Sequence, residues 1–105
     1  MTTKNLLKKL GYSCGQGYVI FGTYKNIESF TNVDGILKIA KRLGWWIEVM
    51  QFNNTGHFHW HSWKFRTHSI SCQKSYRTYL QAYTAALKGI LEYEVSLLPN
   101  SKKDC

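Results

Sequence analysis

The sequence predicts a single α+β domain in which a small antiparallel sheet of about three strands carries helices packed on one face. Hydrophobic residues make up 44% of the 105 residues, which is enough for a core. Segments with helical apolar periodicity alternate with short runs of β-branched and aromatic residues. Their order along the chain is helix, strand, helix, strand, strand, helix. We expect the domain to comprise residues 1–98, and residues 99–105 to form a short basic tail.

The first half of the chain predicts two helices and one strand. Residues 4–10 form a short helix, and residues 18–24 are rich in the side chains that strands prefer. A second helix begins after an N-cap at Asn32 or Thr31 and ends at Gly44, where glycine permits the left-handed turn. The apolar stripe of this helix comprises Val33, Ile36, Leu37, Ala40 and Leu43.

The second half predicts a β-hairpin followed by a long helix. Residues 45–53 and 57–68 form the two strands, and the sequence Asn-Asn-Thr-Gly between them favours a tight turn. Residues 76–97 form the helix, with Ser75 as its N-cap. Its apolar stripe comprises Tyr76, Tyr79, Leu80, Tyr83, Leu87, Ile90, Leu91 and Leu98, and Ala82, Ala85 and Ala86 allow it to lie close to the sheet.

The return strand of the hairpin contains three histidines at alternate positions. Because side chains alternate along a strand, a regular strand places Trp63 and Phe65 on the histidine face. A β-bulge at His61 or Ser62 would avoid this by changing the register. We therefore predict a bulge, with an inward set of Phe58, Trp60, Trp63 and Phe65 and an outward set of His57, His59, His61 or Ser62, Lys64, Arg66 and His68. The alternative is a strand that is apolar on both faces and partly buried by another chain.

The charge balance favours a polyanionic partner. The chain has 14 Lys and Arg against 6 Asp and Glu, a net charge of +8. Solubility alone is the alternative explanation. Exposed aromatic side chains beside basic groups are typical of proteins that bind single-stranded nucleic acid, and Trp45 or Trp46, Tyr18, Tyr24 and Phe52 are candidates for stacking. The candidate nucleic-acid or anion contacts are His57, His59, His61, Lys64, Arg66, His68, Lys74, Arg77, Lys38, Lys41 and Arg42.

The histidines also allow two other interpretations. Two histidines at positions i and i+2 of a strand can chelate one zinc ion, so His57, His59 and His61 are candidate ligands. A single ion cannot reach all three on a straight strand, because the outer two are about 13 Å apart. His59 and His61 could also act as a general acid and base in a hydrolase, although no spacing signature supports it. We predict no catalytic site and no cofactor, with zinc as the alternative.

The cysteines and the N-terminus predict the compartment. Cys14, Cys72 and Cys105 show no C-x-x-C spacing, which favours reduced thiols. The N-terminal residues 1–13 contain no apolar run of the length that a signal peptide or a membrane span requires. We expect a soluble cytoplasmic protein that does not contact membranes.

The hairpin and the helix after it together show a recognisable arrangement of residues. Trp45, Trp46, Trp63, Ser75, Tyr76, Ala82, Ala86 and Leu87 form a Trp-rich hairpin followed by a helix that opens with Ser-Tyr. This arrangement resembles small uncharacterised proteins encoded by bacterial phages and mobile elements, over about half of the chain. The resemblance implies a ββα core. Many of those helices are acidic, whereas this one begins with Lys74 and Arg77.

These observations predict a small, non-catalytic protein that binds nucleic acid through a basic, histidine-bearing sheet face. The first alternative is a phage-type interaction factor that binds or inhibits a host protein, such as an acidic one. A homodimer formed through an open sheet edge is a further expectation. The remaining alternative is a zinc- or histidine-dependent hydrolase.

Overall fold

A computed structural model describes residues 2–22, 27–51, 56–64, 68–71 and 74–98. Within these ranges the chain forms three helices and six strands. Their bounds are α1 (Thr3–Lys9), β1 (Ser13–Gly15), β2 (Tyr18–Ile20), β3 (Ile27–Ser29), α2 (Val33–Arg42), β4 (Trp45–Gln51), β5 (Phe58–Lys64), β6 (His68–Ser71) and α3 (Tyr79–Ser96).

The strands form two antiparallel sheets of three strands each, β1-β2-β3 and β4-β5-β6. The predicted α+β class and the predicted hairpin are confirmed. The sequence predicted one sheet of about three strands, and the structure has two, because β2 pairs with the short strands β1 and β3 and the hairpin gains β6 as its third strand. Gly17 makes the tight turn between β1 and β2, with a φ of +83° that favours glycine.

The helix starts follow the capping rules, with one shift. The Asn32 side chain accepts a hydrogen bond from the Gly35 amide at 2.7 Å, as predicted for α2. The cap of α3 is Thr78 rather than the predicted Ser75, so this helix begins at Tyr79. The reason is that the backbone of Tyr76 pairs with that of Phe58, at 2.7 and 2.9 Å, which holds Tyr76 outside the helix.

The core lies between the helices and one face of the β4-β5-β6 sheet. Helix α3 contacts α1, α2, β4 and β5. Its centre approaches β5 closely at Gly89, where a Cβ atom would lie 2.9 Å from Cη2 of Trp60. The fully buried residues of the helices include Leu7, Ile36, Ile39, Ala82, Ala86, Leu87, Ile90 and Leu91.

The predicted apolar stripes are partly wrong. Ile39 was not assigned to the stripe of α2, yet it is fully buried. In α3, Tyr79 and Leu80 were assigned to the stripe, but they are 52% and 42% exposed. At this end of the helix the small residue Ala82 is fully buried, while these two larger side chains lie at the surface.

The predicted β-bulge is wrong. Strands β4 and β5 pair without interruption from Trp45 opposite Lys64 to Gln51 opposite Phe58. Two features of the inner side make the regular register tolerable: Ser62 is small enough to be fully buried there, and Lys64 finds an acidic partner on α3. Trp63 consequently lies on the same face as His59 and His61, and not with Trp60.

Candidate nucleic-acid interface

The β4-β5-β6 sheet has two faces of opposite character. We call the side that packs against the helices the inner face; it carries Trp45, Ile47, Trp60 and Ser62, all 6% exposed or less. Because residues directly opposite each other in an antiparallel pair share a face, the register defines the other side without ambiguity. This outer face comprises Trp46, Glu48 and Met50 of β4, His59, His61 and Trp63 of β5, and Ser69 and Ser71 of β6.

The outer face exposes large apolar and aromatic side chains. Trp46 is 55% exposed and Met50 is 52% exposed, which is unusual for residues of this size. His59, His61 and Trp63 are half-buried. The rings of His61 and Trp63 lie 5.4 Å apart, and Glu48 lies opposite His61 in the register. The face therefore offers aromatic rings and imidazoles beside one carboxylate.

One end of the outer face forms a cavity of about 230 Å³, which we call the Trp pocket. It is lined by Lys41, Gly44, Trp45, Trp46 and Trp63. Only Leu43 and Gly44 separate the end of α2 from the start of β4, and Gly44 has a φ of +86° that favours glycine. This short connection holds Lys41, in the last turn of α2, beside Trp46 and Trp63.

The three cations of α2 differ in their contacts. Lys38 forms an exposed i,i+4 ion pair with Asp34 at 3.1 Å. The guanidinium of Arg42 lies 4.8 Å from the ring centroid of Phe21. Lys41 has no ion-pair partner among the residues that the structure describes. It lines the Trp pocket and also a second cavity, of about 290 Å³, together with Glu28, Lys38 and Arg42.

Lys64 is placed differently from the prediction. Instead of pointing outward with the histidines, it belongs to the side of Trp60 and Ser62 and contacts α3. Its ammonium group donates to Oε1 of Glu94 at 2.9 Å, and the same oxygen accepts a hydrogen bond from the Trp45 indole at 2.8 Å. The ring of Trp45 also contacts that of Tyr93, edge to face at 5.5 Å. Lys64 is therefore part of the contact between α3 and the sheet.

Glu94 is a residue that sequence reasoning missed. A signal was present, because Glu94 follows Leu87 by seven residues and so lies on the apolar stripe of α3. A single acid on an otherwise apolar stripe requires a partner when it is partly buried. Its side chain is 15% exposed, and Lys64 and Trp45 are the partners.

The remaining predicted contacts are spread over the molecule. His57 is exposed and immediately precedes β5, while Lys74 and Arg77 are exposed and precede α3. His68 begins β6, where its backbone is opposite Lys64. Arg66 lies outside the described residues. A groove of about 830 Å³ follows α3 and includes Arg77, Leu80 and Lys88 in its lining. It carries no histidine among its described lining residues.

The stacking candidates are also separated by the structure. Trp46 is exposed on the outer face, whereas its neighbour Trp45 is buried. Tyr18 is 39% exposed but lies on β2, in the other sheet. Tyr24 and Phe52 lie outside the described residues. Trp63, which we assigned to the core, joins Trp46 on the outer face.

Burial and neighbouring charges shift the pKa of three side chains. Burial raises the pKa of the Cys14 thiol, although Lys8 and Lys4 act in the opposite direction, so the thiol is protonated at neutral pH. Burial, followed by the nearby Tyr79 and Glu48, raises the pKa of Tyr83. The hydrogen bond to Asp34, followed by the charge of that carboxylate, raises the pKa of Lys38.

Within the described part of the chain, no three histidine, cysteine, aspartate or glutamate side chains converge as a metal site would require. His57, His59 and His61 remain candidate zinc ligands only as a prediction. Cys14 is a free thiol, and the other two cysteines lie outside the described residues. Of the helices that the structure describes, none is long and apolar enough to cross a membrane. Comparison of the chain with family models, with curated proteins and with solved structures found no match.

Proposed function

We propose that this protein binds nucleic acid without catalysis, through the outer face of the β4-β5-β6 sheet and the adjoining last turn of α2. The observation that carries the proposal is the position of Lys41. This cation lines the Trp pocket on one side and the cavity with Lys38 and Arg42 on the other. Exposed aromatic rings and a basic helix face thus form one surface, which is the combination that sequence-independent nucleic-acid binders use.

The charge of the chain supports the same partner. At +8, the protein attracts polyanions over a distance comparable with the screening length of the solvent. Among the described residues of the outer face, Glu48 is the one carboxylate, and it lies opposite His61 in the register. Lys41, in the last turn of α2, lies at one end of this face, so we expect the phosphate chain to contact that end.

The test is the binding of labelled oligonucleotides, followed by fluorescence anisotropy at about 50 and 200 mM salt. We expect affinity to fall steeply between these concentrations, because each neutralised phosphate releases counterions. Lys41→Ala should weaken binding and reduce the salt dependence. Lys9→Ala is the matched control: it removes the same charge from an exposed residue of α1, which packs on α3 and β1.

Two results would contradict the proposal. One is the absence of binding to any oligonucleotide at the lower salt concentration. The other is an equal loss of affinity in Lys41→Ala and Lys9→Ala, which would indicate attraction by net charge without a defined surface.

A further inference from the structure

We infer that the Trp pocket binds one unpaired nucleobase, so that the nucleic acid recognised is single-stranded. This inference rests on the proposed function and specifies the class of ligand and its point of contact. It is carried by the juxtaposition of Trp46, Trp63 and Lys41 around a cavity of about 230 Å³.

The two tryptophans are neighbours by register. Trp46 and Trp63 lie directly opposite each other in the β4–β5 pair, on the outer face. Side chains in such a pair have Cβ atoms about 5 Å apart, so both rings border the same space. Trp46 is 55% exposed, and a large aromatic side chain left in water at this level is available for stacking.

The cation is placed for the phosphate that accompanies a base. Lys41 lines the same cavity as Trp46 and Trp63 and has no ion-pair partner among the described residues. The other lysine near this end of the sheet, Lys64, already contacts Glu94 at 2.9 Å. A base stacked in the pocket would therefore bring its phosphate to Lys41.

The pocket discriminates between single and double strands for a geometric reason. In a duplex both faces of every internal base are covered by its neighbours, so a base must leave the stack before an aromatic side chain can cover it. A single strand offers exposed base faces without that cost. Trp45 also lines the pocket; its side chain is buried and its indole donates a hydrogen bond to Glu94.

The experiment compares a labelled single strand of about ten nucleotides with the same strand annealed to its complement, at low salt. We expect the single strand to bind at least 10-fold more tightly. Trp46→Ala and Trp63→Ala should each weaken single-strand binding by about 10-fold, within the range measured for loss of one stacking contact. Trp63→Phe should retain most of the affinity, because a ring remains.

Leu97→Ala is the matched control for these variants. Leu97 is 54% exposed at the C-terminal end of α3, outside the outer face and the Trp pocket, so its replacement should leave the affinity unchanged. An oligonucleotide of abasic sites, with the same number of phosphates, should lose the affinity that depends on Trp46 and Trp63. Urea unfolding of each variant separates loss of the pocket from loss of the fold.

The outcomes distinguish this inference from the function on which it rests. Equal affinity for single strand and duplex, with the Trp46→Ala and Trp63→Ala proteins unchanged, would overturn the pocket and leave nucleic-acid binding in place. Full binding of the abasic oligonucleotide would likewise overturn the base-binding pocket and leave nucleic-acid binding in place. Failure to bind either form at low salt would overturn both.

Discussion

The two faces of the β4-β5-β6 sheet are built from the same strands, and they divide the aromatic residues of those strands between two roles. On the inner face, Trp60 is 6% exposed and lies against the helix at Gly89. Three residues later, Trp63 lies on the outer face beside His61, with Trp46 opposite. Residue type alone therefore does not assign a tryptophan to the core. The register assigns it, and the register depends on what the inner face can accommodate.

The largest difference in stability between the inner and outer faces is expected when each of the two tryptophans of β5 is replaced by alanine. Trp60→Ala should lower the free energy of unfolding by about 3–5 kcal/mol, because it leaves a cavity under α3. Trp63→Ala should lower it by about 1 kcal/mol or less, because its side chain is only half-buried. Urea unfolding of the two variants measures this difference. Similar losses of unfolding free energy in the two variants would show that the Trp63 side chain is also buried.

The second effect concerns Glu94, which joins the inner face to α3. Glu94→Ala leaves Lys64 and the Trp45 indole without their acceptor and should lower the free energy of unfolding by about 1–3 kcal/mol. The Lys64–Glu94 ion pair contributes only a small part of this loss, because the Lys64 side chain is 34% exposed and solvent screens its charge. Glu94→Gln, which retains an oxygen acceptor, should lose less.

Lys64→Ala provides the complementary control. It should lower stability in the urea experiment and leave the affinity of the folded protein for oligonucleotides unchanged. The reverse result, lower affinity with unchanged stability, would favour the outward position that the sequence predicted for Lys64.

The smallest effect is expected at Gly89. Gly89→Ala should lower the free energy of unfolding by about 1 kcal/mol, because overpacking against the indole exceeds the gain in helix propensity. In the Trp60→Phe variant, the Cη2 atom that a Cβ atom at position 89 would contact is absent. In that variant, Gly89→Ala should raise the free energy of unfolding. A double-mutant cycle measures this change of sign, and additive effects would contradict the contact.

Local sequence signals predicted much of the fold. The Asn32 cap, the hairpin and the two long helices were predictable because each depends on residues close together in the chain. The strands β1 and β3 were not, because three-residue strands carry little pattern of their own and form by pairing with β2.

The candidate site was predictable only in part. His59 and His61 were expected together on an outward face, and the structure places them there. The Trp pocket was not foreseen, because Trp63 had been assigned to the core and Lys41 to a separate helix face. Its formation needs the close connection through Gly44 and the register of the β4–β5 pair at the same time.

The sequence by itself determined the alternation of β5, the basic character of the chain and the apolar stripe at the centre of α3. Only the tertiary structure decided which side of β5 faces the helices. A bulge would have buried Trp63 and exposed Lys64, and it would satisfy the hydrophobic pattern of an isolated strand. The regular register is accommodated because Ser62 is small enough to be fully buried on the inner face, and Glu94, 30 residues further along the chain, accepts a hydrogen bond from Lys64. A partner so distant in sequence leaves no mark on the local pattern.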